Sequence, residues 1–220
     1  KLKIISYNIL EGFSDFYKYD MKKIVFHPER LKAAKALIKK ENPDILCLIE
    51  ALWNVKSYRN IYIDYQKEFN YPFIDIRHSL VLLSKYPITY SKAKGAYGPN
   101  ENGVGLRAKI KVGKKEVNIR IVHPRVSAIE EEKANFLKGI LFESKSPQIL
   151  LGDFNAFDKD DDYSLEWRKN FKDKVMSNEF YKLDPRTKDT ILNNSLSGKA
   201  VKAVKKFGLR DTFKAKHKTF

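Results

Sequence analysis

Apolar residues in this chain fall into short, nearly unbroken runs, separated by stretches in which they recur at helical spacing. Lys3 to Ile9 is a β-rich run that Glu11-Gly12 interrupts. Pro28 can open a helix whose apolar positions Leu31, Ala34, Leu37 and Ile38 share one face, with lysines between them. Asn42-Pro43 stops it, because a residue before proline is pushed out of helical backbone. Asp44 to Glu50 is a continuous apolar strand of the kind buried on both faces. Tyr58, Ile61, Tyr62, Tyr65 and Phe69 then recur as the stripe of a second amphipathic helix. Ser79 to Ser84 is another buried strand, closed by Tyr86-Pro87. Residues 104–112 and 115–122 form two strands around a tight turn at Gly113-Lys114. Ile129 to Phe142 is helical in pattern, and Gln148 to Gly152 is a short buried strand.

Helices alternating with strands, plus at least one hairpin, predict mixed sheets covered by helices. The texture changes after residue 157, where Asp158, Asp160, Asp161 and Asp162 lead into a polar, Lys-rich stretch. Residues 157–206 are expected to be an insertion carrying one or two helices within a single domain over 1–220. A chain of 220 residues suits one core.

Composition adds charge to this picture. With 43% hydrophobic and 13% aromatic residues the chain is globular, yet its formal net charge is +16 and its pI about 9.6. Such an excess attracts polyanions, nucleic acid first and anionic lipid second. The plainer alternative is a Lys-rich surface, since the lysines are dispersed rather than massed. Cys47 lies inside the run Ile45–Ile49, which makes it a core residue, excludes a disulfide framework and fits a reducing cytoplasm. No apolar run approaches the roughly 18 residues of a membrane span, and Lys1-Leu2-Lys3 does not begin a signal peptide. Oligomeric state leaves no mark in the sequence.

Chemistry concentrates where strands end. Ile149-Leu150-Leu151-Gly152-Asp153-Phe154-Asn155 carries a strand into a glycine, then a carboxylate and an amide two positions apart. In extended chain both would point one way, able to hold a water nucleophile and phosphate oxygens. The alternative is a turn whose Asp and Asn satisfy local backbone groups. Pro43 to Glu50 delivers one glutamate at a strand C-terminus, where sheets of this kind bind ligands. Such a carboxylate suits Mg²⁺, which takes one or two protein carboxylates, or Mn²⁺ in its place. It can equally be an exposed strand-ending Glu. Asn8 closes the first strand, and His123 closes Asn118–Val122 as a candidate acid or base. A lone His at a strand end is more often structural. The loop from Tyr97 to Arg107 can bring backbone amides or Arg107 to a phosphate, or simply lead into a strand.

Taken in order, Ser6-Tyr7-Asn8-Ile9, Pro43-Asp44-Ile45-Leu46-Cys47-Leu48-Ile49-Glu50, Leu83-Ser84-Lys85-Tyr86-Pro87-Ile88, Ile121-Val122-His123 and Leu151-Gly152-Asp153-Phe154-Asn155-Ala156 resemble the endonuclease/exonuclease/phosphatase superfamily. The resemblance implies a four-layered α/β sandwich, two mixed sheets face to face with helices outside. It implies that Glu50 holds the metal with Asn8 beside it or on phosphate. Asp153 would orient or deprotonate water, Asn155 would hold water or phosphate, and His123 would contact phosphate or act as an acid. Three features depart from the family pattern, the first being Arg77-His78-Ser79-Leu80, which lacks the glycine many members carry before that strand. Val122-His123-Pro124 replaces a Thr-His-Leu segment, and no Arg-Ile-Asp-Tyr-Ile-like strand or Ser-Asp-His triplet appears before Phe220; His217, between two lysines, reads as a surface residue. The expectation is a natural protein that continues past Phe220, with an open sheet edge in this chain. The functions expected are a Mg²⁺-dependent nuclease on DNA or RNA, a phosphatase or phosphodiesterase on a small or lipid phosphate, or a silent nucleic-acid-binding domain.

Overall fold

In the computed structural model of the chain, the described residues are 1–16, 24–51, 63–96, 102–125, 128–141, 147–156, 166, 169–170, 173 and 197–209. They build two four-stranded sheets. The first has the order β1 (Ile4–Asn8), β4 (Ile45–Ile49), β6 (Leu80–Ser84), β5 (Phe73–Arg77). The second runs β10 (Gln148–Gly152), β9 (Lys115–Pro124), β8 (Gly103–Val112), β7 (Ile88–Ala96). Each sheet contains one parallel pair, β1 with β4 and β10 with β9, and is otherwise antiparallel. A short ribbon, β2 (Ser14–Phe16) with β3 (Ile24–Phe26), stands apart.

Side-chain alternation assigns the layers. Ile45, Cys47 and Ile49 of β4 and Leu80 and Leu82 of β6 pack against Val104, Leu106, Ala108 and Ile110 of β8 and Ile119 and Ile121 of β9, forming the core between the sheets. The intervening Leu46, Leu48, Val81 and Leu83 face outward onto α2 (Pro28–Glu41) and α3 (Tyr65–Phe69), through Ala34, Ile38, Tyr65 and Phe69. On the far side Val122 packs under α4 (Glu130–Leu141) and α5 (Lys199–Lys206), against Leu137, Ile140 and Ala200. Helix, sheet, sheet, helix is the expected four-layered sandwich. Strands buried on both faces carry apolar residues at every position, which is why β4 and β6 read as unbroken runs. Burying each such side chain contributes about 1.5–3 kcal/mol.

Several boundaries differ from expectation. Asp64 caps α3, its carboxylate accepting from the Lys67 amide at 3.1 Å, so the helix begins there and not at Tyr58. Tyr58, Ile61 and Tyr62 lie outside the described residues. Strands β5 and β7 were not anticipated. β5 follows Pro72 and is tied to β6 by the Arg77↔Leu80 pair, with His78 left-handed at φ 53°. Leu37, expected on the buried face of α2, is 44% exposed. Of the anticipated 157–206 insertion, the described part from 197 includes α5, whose Ala200 and Ala203 are buried against α4. The acidic run 158–162, residues 97–101 and residues 210–220, with His217, lie outside the described residues. Among the described residues no helix is long and apolar enough to cross a membrane.

Candidate active site

The two parallel pairs set the site. In β1 and β4, Asn8 lies opposite Ile49, so Asn8 and Glu50 emerge side by side from the first sheet. In β10 and β9, Gly152 lies opposite Val122, so Asp153 and His123 emerge side by side from the second. Both pairs end at the same rim of the sandwich.

Hydrogen bonds then cross between the sheets. The Asn8 amide donates from Nδ2 to Glu50 Oε1 at 2.9 Å within its own sheet and to Asp153 Oδ2 at 3.0 Å across the gap. His123 Nε2 stands 3.3 Å from Glu50 Oε1, a second link between sheets. One ligand atom from each of Glu50, His123 and Asp153 falls within 4.8 Å of the others. Two carboxylates and an imidazole nitrogen at this spacing fit a divalent cation. Mg²⁺ needs only one or two carboxylates and completes its shell with water, and Mn²⁺ tolerates the nitrogen as well.

Backbone geometry serves the cluster. Glu50 is left-handed at φ 55°, as are Leu10, Glu11, Gly12 and Phe13 at 45°, 48°, 70° and 65°. These four form a tight turn, α1 (Leu10–Phe13), wrapped on the Glu50 backbone by a Gly12 amide to Glu50 carbonyl bond of 2.6 Å. The Leu10 amide donates to Asn8 Oδ1 at 3.0 Å and fixes the side chain that bridges the sheets. Left-handed backbone costs a non-glycine residue on the order of 1 kcal/mol, and runs of it gather where side chains must be aimed. Gly152, at φ 145°, brings the end of β10 so close to β9 that a Cβ would collide with the Val122 carbonyl.

The turn after Gly152 is not extended, so the two-apart alternation does not hold there. The Asn155 amide N–H donates to Asp153 Oδ1 at 2.9 Å, and Asn155, left-handed at φ 45°, donates from Nδ2 to the Pro124 carbonyl at 2.8 Å. Asn155 is thus beside Asp153, with its amide hydrogen bond made to the loop that follows His123. Arg107 is not brought to the cluster. It is 4% exposed on β8, and Nη2 donates at 2.6 Å to the Gly139 carbonyl, which also accepts from Lys94 Nζ at 2.7 Å. Gly139 lies in the last turn of α4, where carbonyls lack helical partners and cations are favoured, so Arg107 caps this helix.

Electrostatics add a residue the sequence reading took only for a strand breaker. The Glu11 carboxyl is pushed up to about 7, first by burial and then by the neighbouring Glu50 charge, with His123 opposing. For Glu50 itself burial works upward, but hydrogen bonds from His123 and Asn8, the His123 charge and the Glu11 backbone amide outweigh it and hold the group below its ordinary range. Just behind the site, burial pulls the Lys133 amine below its usual value against the attraction of Glu130 and Asp153. A carboxylate three residues beyond Asn8 was the available signal for Glu11, visible only once the left-handed turn is known.

A family model described as the Endonuclease/Exonuclease/phosphatase family matches residues 5–198, and the chain belongs to that family. Its members are metal-dependent phosphoester hydrolases, the class that the resemblance implied. Among solved structures the chain is similar to TDP2 from D. rerio complexed with a single-strand DNA product, at 19% identity and a TM-score of 0.50 over 71% of this chain and 62% of that one. It is also similar to sphingomyelinase C from Streptomyces griseocarneus, at 16% identity and 0.50 over 73% and 66%. A mutant beta toxin from Staphylococcus aureus with bound magnesium ions aligns at 16% identity and 0.51 over 78% and 70%. At these identities the likeness establishes the fold. The chain spans about three-fifths of the length of the D. rerio protein. No curated protein matches the sequence.

Proposed function

We propose that this protein is a divalent-metal-dependent phosphodiesterase that cleaves nucleic acid by water attack on phosphorus. The observation that carries this reading is the Glu50–His123–Asp153 cluster, bridged by Asn8 at the joined strand ends of both sheets. Glu50 and Asp153 would hold Mg²⁺ or Mn²⁺, which when bound supplies Lewis-acid polarisation of the phosphate. Asp153 accepts a proton from the attacking water, with Oδ1 held by the Asn155 amide and Oδ2 by Asn8. His123 faces Glu50 and donates a hydrogen bond to a phosphate oxygen as charge builds there. Asn155 holds the turn in register through Pro124, so its part is to orient Asp153.

Nucleic acid is favoured by the net charge of +16 and by the DNA product in the D. rerio relative. A lipid or other small phosphodiester is the second reading. It is favoured by Tyr7 and Leu10, which flank Asn8 closely in the chain and are 37% and 50% exposed, and by the sphingomyelinase relative. The single buried cysteine suits action in the cytoplasm.

The test is a cleavage screen of the chain against single- and double-stranded DNA, RNA, sphingomyelin vesicles and bis(p-nitrophenyl) phosphate, each with Mg²⁺ and with EDTA. EDTA-sensitive cleavage of a nucleic acid, with affinity falling steeply as salt rises, is expected because several phosphates are neutralised at once. Cleavage confined to sphingomyelin, with a shallow salt dependence, would favour the second reading. Nucleic-acid binding with no cleavage of any substrate would refute both.

A further inference from the structure

Behind the Asp153–Asn155 turn lies a buried ion pair that the proposed chemistry does not use. Glu130 and Lys133, at i and i+3 in the first turns of α4, are 1% and 2% exposed. Lys133 Nζ stands 3.4 Å from Glu130 Oε1 and donates to the Asn155 carbonyl at 2.6 Å. The other Glu130 oxygen, Oε2, accepts from the Ala200 amide in the first turn of α5 at 3.2 Å.

We propose that Lys133, held by Glu130, is a positioning residue that fixes the Asp153–Asn155 turn and so sets the aim of the Asp153 carboxylate. The links are continuous: the α5 amide to Glu130, Glu130 to Lys133, Lys133 to the Asn155 carbonyl, the Asn155 amide to Asp153 Oδ1, and Asp153 Oδ2 to Asn8. Two considerations favour this over simple support of the fold. Replacing a buried ion pair with apolar residues is often neutral or stabilising, and Ala134, Leu137, Ile140 and Leu141 show that this side of α4 is otherwise an apolar packing face. The pair is therefore expensive where packing alone needs none. Its ammonium also grips the carbonyl of Asn155, a residue in left-handed backbone that tends to relax unless held. Displacing a reacting group by about 1 Å can cost about 10²-fold in rate, so a loosened turn is felt in turnover before it is felt in folding.

This inference rests on the hydrolase reading, and the test separates the two. Lys133→Met keeps the side-chain stem and removes the charge, while Lys133→Arg keeps a cationic donor. Both are compared with wild type by thermal unfolding, by amide hydrogen exchange, and by kcat and KM for bis(p-nitrophenyl) phosphate with Mg²⁺. Lys133→Met is expected to exchange about 10-fold faster at residues 153–156 with β9 unchanged. Its kcat should fall about 30-fold at a KM within about 3-fold of wild type, and Lys133→Arg should recover most of the loss. A purely structural role would instead lower thermal stability, speed exchange in β9 and β10 alike, and leave kcat per folded molecule unchanged; that result overturns the proposal. If Lys133→Met does not fold, Glu130→Gln decides, since it keeps the shape and releases Lys133. Selective loosening of 153–156 in that variant supports the inference, and unchanged exchange sinks it. An inactive wild type would defeat the hydrolase reading, while the exchange measurements, which need no turnover, would still judge Lys133.

Discussion

Glu11 offers the sharpest test of the electrostatics, because its carboxyl sits where burial and Glu50 both oppose ionisation. A rise from 4.5 in the unfolded chain to about 7 in the folded protein corresponds to about 3 kcal/mol, at about 1.4 kcal/mol per pH unit. The folded state keeps a proton that the unfolded chain releases. Stability associated with Glu11 is therefore complete below pH 4.5 and is lost as pH rises through about 7. Glu11→Gln removes that titration while keeping shape and hydrogen-bonding capacity. Urea unfolding in EDTA, repeated from about pH 4 to pH 8.5, should show wild type and variant diverging steadily as pH climbs. The gap should level off at up to about 3 kcal/mol in favour of the variant at the alkaline end. Saturating Mg²⁺ should narrow the gap, since a cation against Glu50 cancels the repulsion that raises Glu11. Parallel stability curves across the whole range would show that neither burial nor the Glu50 charge raises the Glu11 carboxyl, and would refute this reasoning.

Three further substitutions probe separate parts of the site. Glu50→Gln should weaken Mg²⁺ binding by about 10-fold or more in calorimetry while circular dichroism stays unchanged, and an unaltered affinity would remove Glu50 from the metal site. Asp153→Asn should lower kcat by about 10²–10³-fold with a smaller effect on metal affinity; wild-type turnover in this variant would exclude Asp153 as the proton acceptor. Arg107→Met should cost about 1–3 kcal/mol in urea unfolding and leave KM unchanged, because the guanidinium bonds a helix carbonyl, whereas a raised KM would restore it as a phosphate ligand.

The elements most legible in the sequence were those buried on both faces. β4 and β6 carry continuous apolar runs because each lies between two packed layers, and the helix from Pro28 shows both its start and its αL stop at Asn42. β5 and β7 escaped notice for the opposite reason. They are edge strands, and alternating or polar residues such as Asp75, Lys92 and Lys94 mask their extended character. Asn8, Glu50, His123 and Asp153 could be named because each closes a strand, and strand ends are where such a sheet presents ligands. Their mutual distances could not be read, because they depend on which strands run parallel and on how two sheets stack. Lys133 and Glu130 carried no signal for the same reason, and the signal of Glu11 is readable only with the turn in hand. Glu11 reaches the cluster only through four consecutive left-handed residues, and an i, i+3 Glu–Lys pair on a helix looks like ordinary surface charge until its burial is known. The burial of Arg107 was equally hidden, since a cation after a glycine-rich loop looks exposed, whereas the glycine at 105 lets Ile140 of α4 pack directly onto the strand beside it.

The location of the cluster explains why one fold feature serves both stability and chemistry. Glu50 belongs to one sheet and Asp153 to the other, and two carboxylates repel in the absence of a counter-charge. They are held together by the apolar core between the sheets, where Ile45, Cys47 and Ile49 meet Leu106, Ile119 and Ile121, by the Asn8 amide that donates to both, and by the His123–Glu50 contact. The repulsion is thus a local cost borne by packing elsewhere, as strain at functional sites generally is. A cation bound between them reverses its sign, so metal binding and closure of the sandwich favour one another. Ligand that binds only the folded state raises stability by RT ln(1 + [L]/Kd), about 2.7 kcal/mol at a hundredfold excess over Kd. In this protein that gain includes relief of an inter-sheet repulsion, which disappears when either carboxylate is neutralised. Hence the midpoint of thermal unfolding should climb with Mg²⁺ in wild type and lose most of that response in Glu50→Gln. A full response in that variant would mean that the cation binds somewhere other than the seam between the sheets.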